Sequence, residues 1–145
     1  MPPLNAIVSE TGKPKFTPMP LPLRIAHGVM SLLFFLSVLV QFNDPSPLPW
    51  ILMYGAAAVA TGLAAARRPV ARKAALLVGA VALLWEVHYL SIGAWHTPLS
   101  ALTEEWHMTS TAIVDGREFY ALLWIAACMG LIWFKPPRAG KSQKA

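Results

Sequence analysis

The stretch SLLFFLSVLV, residues 31–40, is the centre of an apolar run that extends over about residues 23–42. A helix needs about 20 apolar residues to cross the ~30 Å of hydrocarbon in a lipid bilayer. Three further runs of similar length follow, at about residues 49–66, 74–94 and 112–134. A single helix satisfies its own backbone hydrogen bonds in lipid, whereas an open sheet does not. The four runs therefore predict an all-α integral membrane protein built as a four-helix bundle.

The composition argues against an ordinary soluble domain. The 145-residue chain is 56% hydrophobic and 13% charged, and its mean hydropathy is +0.50. Soluble domains carry about 25% charged residues, so the apolar excess is expected to face lipid. The formal net charge is +5. Because the basic residues lie at the ends of apolar runs and in the tails, we expect no nucleic-acid partner. The single cysteine, Cys128, excludes an intramolecular disulfide.

Two tails flank the predicted transmembrane domain, which covers residues 22–135. Residues 1–21 contain repeated prolines and little hydrophobic periodicity, which is typical of a disordered tail. Residues 136–145 form a short basic tail. A cleaved signal peptide is not expected, since the first apolar run is longer than the usual ~7–15 residues and no convincing cleavage site follows it.

The charges predict the orientation. Eleven of the twelve lysine and arginine residues lie in the two tails, at the start of the first run, between the second and third runs or directly after the fourth run, and only Arg117 lies on the other side. Most acidic residues lie on the side of Arg117. The positive-inside rule then places both termini in the cytoplasm. The small size and the Ala, Pro and Arg usage favour a bacterial inner membrane.

The long outer loop, residues 95–116, predicts a short amphipathic helix on the membrane surface. Leu99, Leu102 and Trp106 are spaced i, i+3, i+7 and form one apolar face. Glu104 and His107 are spaced i, i+3 and share another face, so they are the candidate ligands of a single metal ion. A di-iron site is not expected, because the chain has one Glu-x-x-His pair where such bundles use two. No other cofactor is predicted.

A polar turn, QFNDPSPLPW at residues 41–50, separates the first two runs. In the structural interpretation, Asp44 or Ser46 caps the next helix and Trp50 anchors it at headgroup depth. In the functional interpretation, Asn43 and Asp44 present oxygen ligands or bind Arg117 at the outer surface.

The segment VDGREFY, residues 114–120, opens the fourth run. Either Asp115 is the N-cap, with Glu118 three residues later, or the helix begins near Thr109–Thr111 and Arg117 and Glu118 lie in its second turn. As the lone outer basic residue among acids, Arg117 is expected to pair with Asp44 or Glu118.

Two ionisable residues, Glu86 and His88, lie in the outer half of the third run. Ionisable groups at that depth are costly, face the bundle interior or water, and are candidate functional residues. The two side chains point about 200° apart, as i, i+2 positions on a helix do, so they do not face one ligand. A proton or cation site and a buried interhelical hydrogen bond remain the two alternatives.

Several of these motifs together resemble the transmembrane protein 220 family. The residues that carry the resemblance are Asn43-Asp44-Pro45, Trp50, Tyr54 and Gly116-Arg117-Glu118. The resemblance covers about residues 24–134 and implies a four-helix membrane protein, with no established biochemical activity. The small size, the absence of catalytic motifs and the small-residue helix faces lead us to expect a non-enzymatic accessory or interaction subunit, in contact with the bilayer and with other membrane proteins or itself. The alternative is metal-ion or proton handling at the outer face.

Overall fold

The computed structural model describes residues 19–104 and 110–135, with only the backbone of residue 104. Four long helices run along the length of the bundle: α1 (Leu21–Val40), α2 (Pro47–Ala65), α3 (Ala71–Ser91) and α5 (Thr111–Phe134). The four-residue helix α4 (Ala101–Glu104) precedes α5. All four long helices are long and apolar enough to span a membrane. The prediction of an all-α membrane bundle is confirmed.

The helix boundaries follow from local sequence. A 3₁₀ turn, Gln41–Asn43, extends α1, so that this span reaches 23 residues. Helix α2 begins one residue after Ser46, with Pro47 at its first position, where the missing N–H costs nothing. Helix α3 begins at Ala71, three residues earlier than predicted, so Arg72 and Lys73 lie in its first turn. The first helix starts at Leu21, which was assigned to the disordered tail; residues 1–18 and 136–145 lie outside the described residues.

The helices alternate in direction, which gives the bundle two ends of opposite character. At the basic end, the Arg24 Nε donates to the carbonyl of Ala65 at 3.2 Å, and the Arg72 guanidinium lies 4.2 Å from the centre of the Trp133 ring. At the other end, which we call the acidic end, lie Asp44, Asp115 and Glu118, together with Arg117. These contacts join the start of α1 to the end of α2, and the start of α3 to the end of α5.

The core is built from small residues on two helices and larger residues on a third. On α2, Ala57, Ala60 and Ala64 are fully buried along one face. Facing them, α5 contributes Leu122, Ile125, Met129 and Ile132 at similar helical spacing, and α3 contributes a further alanine stripe. Small residues let helix backbones approach closely, which is how membrane helices gain packing energy when lipid supplies no hydrophobic drive between them.

Helix α1 is attached to the rest of the bundle through α2. The Ser31 hydroxyl donates to the Ala58 carbonyl at 2.8 Å, and an ideal Cβ added at Gly62 would lie 3.1 Å from the Ser31 Oγ. In contrast, no Cα atom of α1 lies within 8 Å of one in α3, α4 or α5. The bundle is therefore open on one side, between α1 and α5.

Large apolar side chains cover the outside of the helices. Leu77 and Leu84 on α3, for example, are 68% and 74% exposed. Such a surface is unfavourable in water and matches the hydrocarbon of a bilayer. The exposed leucines therefore agree with the membrane assignment made from composition.

Candidate polar site at the acidic end

Glu118 is the centre of a hydrogen-bond network that joins three helices. Its Oε1 accepts the indole N–H of Trp50 from α2 at 3.0 Å. Its Oε2 accepts the hydroxyl of Tyr89 from α3. Both donors point at one carboxylate on α5, so the network fixes α2 and α3 against the second turn of α5. A carboxylate with both oxygens bound is well suited to hold a structure in register.

Aromatic rings extend this network toward the bundle interior. The Trp50 ring stacks on Trp85 with centroids 4.8 Å apart and lies 5.7 Å from the ring of Tyr54. Trp50 is only 5% exposed. Its indole N–H donates to Glu118 of α5, so the ring packs within the bundle; the headgroup depth predicted for Trp50 stays a prediction.

Arg117 binds the outer connection between α3 and α5. Its Nη2 donates to the carbonyl of Leu102, in α4, at 2.7 Å. Nearby, the Tyr120 hydroxyl donates to the Thr97 carbonyl at 3.2 Å, and the Thr97 hydroxyl donates to the Ala112 carbonyl at 3.1 Å. The first three turns of α5 thus hold the connecting segment against the end of the bundle.

Gly116 has a steric reason to lack a side chain. An ideal Cβ built at this position would lie 2.7 Å from the Cβ of Thr97 and 2.8 Å from its Cγ2. Real Cβ atoms do not approach other carbons so closely. Each residue of the Gly-Arg-Glu motif therefore makes a different contact. Gly116 packs closely on Thr97, Arg117 donates to the Leu102 carbonyl, and Glu118 accepts the bonds of the network.

A polar cavity of about 180 Å³ lies beside this network. Its wall carries charges of both signs and two aromatic rings, and it is lined by Gln41, Asp44, Trp50, Tyr54, Val114, Arg117, Glu118 and Ala121. The Asp44 Oδ1 accepts the backbone N–H of Ser46 at 3.2 Å. The structure therefore brings together three of the four residues in the predicted cluster around one cavity. Asn43 is exposed and does not line it.

An apolar groove of about 520 Å³ continues from the cavity into the open side of the bundle. Helix α1 presents Met30, Leu33, Phe34 and Ser37 to the groove, and α5 presents Arg117, Tyr120, Ala121 and Trp124, with Tyr54 and Leu102 completing it. Both rows have the spacing i, i+3, i+4, i+7 of one helix face. The cavity and the groove share Tyr54, Arg117 and Ala121. We call the two together the α1/α5 cleft.

The two predicted intramembrane residues lie in different surroundings. Glu86 is 5% exposed, and neither of its carboxylate oxygens has a hydrogen-bond partner among the described residues. His88 is exposed on the outside of α3, with its ring 5.3 Å from that of Tyr89. Glu86 thus faces the interior and His88 the surroundings, as their 200° separation requires.

Glu104 and His107 are the candidate ligands of a single metal ion. His107 and the side chain of Glu104 lie outside the described residues. Within the described part of the chain, no group of three or more His, Cys, Asp or Glu side chains is placed to hold a metal ion. The single-metal hypothesis stays a prediction.

The structure shows where α5 begins and which residue occupies the N-cap position of α2. Helix α5 begins at Thr111, with Ser110 at the N-cap position and no side-chain capping bond. The alternative in which Asp115 caps the helix is therefore wrong, and Arg117 and Glu118 lie in the second turn. Ser46 occupies the N-cap position of α2, also without a side-chain bond to the helix.

Sequence reasoning missed the donors to Glu118 and the cleft itself. Tyr89 is spaced i, i+3 from Glu86 and so shares its buried face, which was the available signal for its orientation. Trp50 carried no such signal, because tryptophan near a helix end is also typical of the headgroup zone. The opening between α1 and α5 depends on tertiary packing.

Four membrane-length apolar helices with a polar network at one end define a polytopic α-helical membrane protein. The chain belongs to transmembrane family 220, which matches residues 33–134. The matched segment contains Asp44, Trp50, Arg117 and Glu118 of the polar site. No curated protein and no solved structure matches the chain significantly.

Proposed function

We propose that this protein is a non-enzymatic accessory or interaction protein, and that it works by binding a membrane-resident partner in the α1/α5 cleft. One observation carries the proposal. Helix α1 packs on α2 and has no Cα atom within 8 Å of α5, so two helix faces are left facing each other across a gap. Helix faces inside a protein are usually packed as densely as the rest of its interior. A molecule bound between α1 and α5 would give these two faces that packing.

The chemistry of the cleft supports binding. The groove volume of about 520 Å³ lies within the ~300–1,000 Å³ typical of ligand pockets. Its polar groups converge at one end, as they do in sites that fix a ligand's orientation. The carboxylate of Glu118 is held by Trp50 and Tyr89, which favours a positioning role for this side chain.

The proposal includes an orientation. The described basic residues, apart from Arg117, lie in the first turn of α1, in the turn between α2 and α3, in the first turn of α3 and just after α5. With the positive-inside rule, the acidic end and the cleft opening face away from the cytoplasm. Both termini are then cytoplasmic, and a bacterial inner membrane is the proposed location.

Photo-crosslinking tests the proposal. A photoreactive benzoylphenylalanine replaces Leu33, which lines the groove and is 48% exposed. The matched control carries the same residue in place of Leu32, which is 59% exposed at the same depth and does not line the groove. After irradiation in native membranes, position 33 is expected to give a discrete adduct at several times the yield of position 32. Equal yields and equal products at the two positions would contradict the proposal.

A second candidate function rests on Glu86. A buried carboxyl group with no hydrogen-bond partner among the described residues is unusual, and inside a membrane such groups often belong to proton relays. The candidate function is proton binding at Glu86. The protein is labelled with ¹³C at the side-chain carboxyl carbons of glutamate, and the NMR signal that is absent from Glu86→Gln is assigned to Glu86. The chemical shift of this signal is expected to change with pH over the pH range in which the protein stays folded. A chemical shift that is constant over that pH range would exclude this function.

A further inference from the structure

We infer that the occupant of the α1/α5 cleft is a phospholipid with a primary-amine headgroup, of the phosphatidylethanolamine type. Its phosphate is placed at Arg117, its ammonium group at Asp44 and one acyl chain in the groove. This inference rests on the proposed function and adds the chemistry of the partner.

The order of polar and apolar surfaces along the cleft matches that of a lipid. The polar cavity is lined by Gln41 and Asp44, just beyond the end of α1, and by residues in the first three turns of α5. It therefore lies at headgroup depth, since the α1 span of 23 residues is about as long as the bilayer hydrocarbon is thick. The apolar groove extends from there toward the bilayer centre.

The length of the groove fits one acyl chain within one leaflet. On α5 it runs from Arg117 to Trp124, and on α1 from Ser37 to Met30. Seven residues of helix rise about 10 Å. One leaflet contributes about half of the ~30 Å hydrocarbon thickness, so the groove covers roughly two thirds of it.

Arg117 stands where the two parts of the cleft meet. It lines both the cavity and the groove, and its bond to the Leu102 carbonyl holds the guanidinium at that level. A planar guanidinium with several N–H donors is well matched to a phosphate group. In a bound phospholipid, the phosphate links the acyl chains to the headgroup, which is the same junction.

The charge balance of the cavity selects the headgroup. Among the described residues, Asp44 and Glu118 contribute two acids to the cavity wall against one arginine, so a purely anionic headgroup would meet more negative than positive charge there. A headgroup that adds an ammonium group to the phosphate is complementary to both signs. Each Glu118 oxygen already accepts one bond, from Trp50 or from Tyr89. Among the described residues, the Asp44 carboxylate accepts one bond, from the Ser46 backbone N–H, so Asp44 has more acceptor capacity for an ammonium group. Tyr54 and Trp50 add aromatic surfaces for a cation.

A primary amine is favoured over a quaternary one because it donates hydrogen bonds to a carboxylate, whereas a trimethylammonium group has no N–H to donate. A helix from another protein fits less well, because it is uniformly ~10–12 Å wide with its side chains and has no counterpart to the change from charged cavity to apolar groove.

The test uses the full-length protein with benzoylphenylalanine at position 33, reconstituted in nanodiscs of equal parts phosphatidylethanolamine, phosphatidylglycerol and phosphatidylcholine. Adducts are identified by intact mass. We expect a lipid adduct at several times the yield of the position-32 control, with phosphatidylethanolamine over-represented at least threefold. Asp44→Asn is expected to remove that preference, and Arg117→Gln to reduce adducts of all three lipids. Lys73→Gln, which removes a charge at the basic end, is expected to change neither.

The outcomes separate the inference from the proposed function. Lipid adducts in proportion to the bulk composition, or a preference that survives Asp44→Asn, would overturn the lipid assignment. A protein adduct from native membranes, specific to position 33, would overturn it while supporting the proposed function. Equal yields at positions 32 and 33 in both nanodiscs and native membranes would overturn both. Arg117→Gln also removes the hydrogen bond to the Leu102 carbonyl, which Asp44→Asn retains. The thermal unfolding of the two variants is therefore compared, so that a loss of adducts is separated from a loss of folded protein.

Discussion

The indole N–H of Trp50 donates to the Oε1 of Glu118 across 3.0 Å, between residues 68 positions apart in the chain. This bond joins the first turn of α2 to the second turn of α5. Tyr89 completes the arrangement by donating to the second oxygen of the same carboxylate. Three of the four spans are thus joined at the acidic end by one side chain, while α1, within the described part of the chain, packs on α2 and on no other span.

The first prediction concerns the strength of this bond. In a double-mutant cycle of Trp50→Phe and Glu118→Ala, we expect a coupling free energy of about 0.6 kcal/mol, the average for hydrogen bonds between membrane helices, and no more than about 1.7 kcal/mol, the maximum found for such bonds. Trp50→Phe removes the N–H while retaining a ring against Trp85. The measurement is reversible unfolding in mixed micelles. If the two changes are simply additive, the bond does not contribute to stability.

The carboxylate itself is the subject of a related comparison. Glu118→Gln retains one carbonyl oxygen for the Trp50 N–H and offers an amide N–H to the Tyr89 oxygen, whereas Glu118→Ala leaves both donors without an acceptor. We expect Glu118→Ala to lower the free energy of unfolding by roughly 1–3 kcal/mol more than Glu118→Gln. Equal effects of the two variants would show that the hydrogen bonds do not stabilise the acidic end.

A third prediction concerns the contact of Gly116 with Thr97. Gly116→Ala is expected to destabilise the protein by about 1–3 kcal/mol through overpacking, since the new Cβ would lie 2.7 Å from the Thr97 Cβ. The measurement is thermal unfolding in detergent.

Two variants control for other causes of that loss. Gly55→Ala adds a Cβ with no heavy atom within 4 Å outside its own helix turn, so it is expected to be neutral or slightly stabilising, as Ala is favoured over Gly in helices. Thr97→Ser removes the Cγ2 and leaves the Cβ, so it is expected to restore little of the stability. If Gly116→Ala is as stable as Gly55→Ala, the close approach is not a constraint.

Much of the fold could be predicted from sequence, because the length of each apolar run is set by bilayer thickness. The start of α5 near Thr111 was also predictable, since a shorter helix would not cross. The face that each helix buries could not be predicted from the sequence. On α1, Phe34 is 3% exposed and Phe35 is 53% exposed, and two adjacent phenylalanines are equally compatible with lipid and with protein.

The candidate site was partly predictable for a similar reason. Asp44, Arg117 and Glu118 belong to segments that must meet at one end of an antiparallel bundle, and they line one cavity. Tyr54 and the groove could not be inferred, because nothing in an apolar sequence distinguishes a helix that packs on two neighbours from one that packs on a single neighbour.

A fourth prediction concerns orientation. In a Cys128→Ala background, Ser100→Cys is placed on the exposed connection at the acidic end and Ala66→Cys on the exposed turn at the basic end. In intact bacterial cells, a membrane-impermeant maleimide is expected to label position 100, and position 66 only after permeabilisation. The positive-inside rule is the physical basis. Labelling of position 66 alone in intact cells would reverse the proposed orientation.

The open cleft is tested most directly by disulfide crosslinking in the Cys128→Ala background, with the protein in a bilayer. The pair Gly28→Cys and Ala65→Cys is the positive control, since an ideal Cβ at position 28 lies 3.9 Å from the Ala65 Cβ, close to the ~3.8 Å mean of disulfides. The test pairs are Leu33→Cys with Ala121→Cys or with Trp124→Cys, which face each other across the cleft with Cα atoms more than 8 Å apart. We expect rapid, near-complete oxidation of the control pair and little oxidation of either test pair. Oxidation of a test pair as fast and as complete as that of the control would show that α1 and α5 meet in the membrane, and would contradict the cleft.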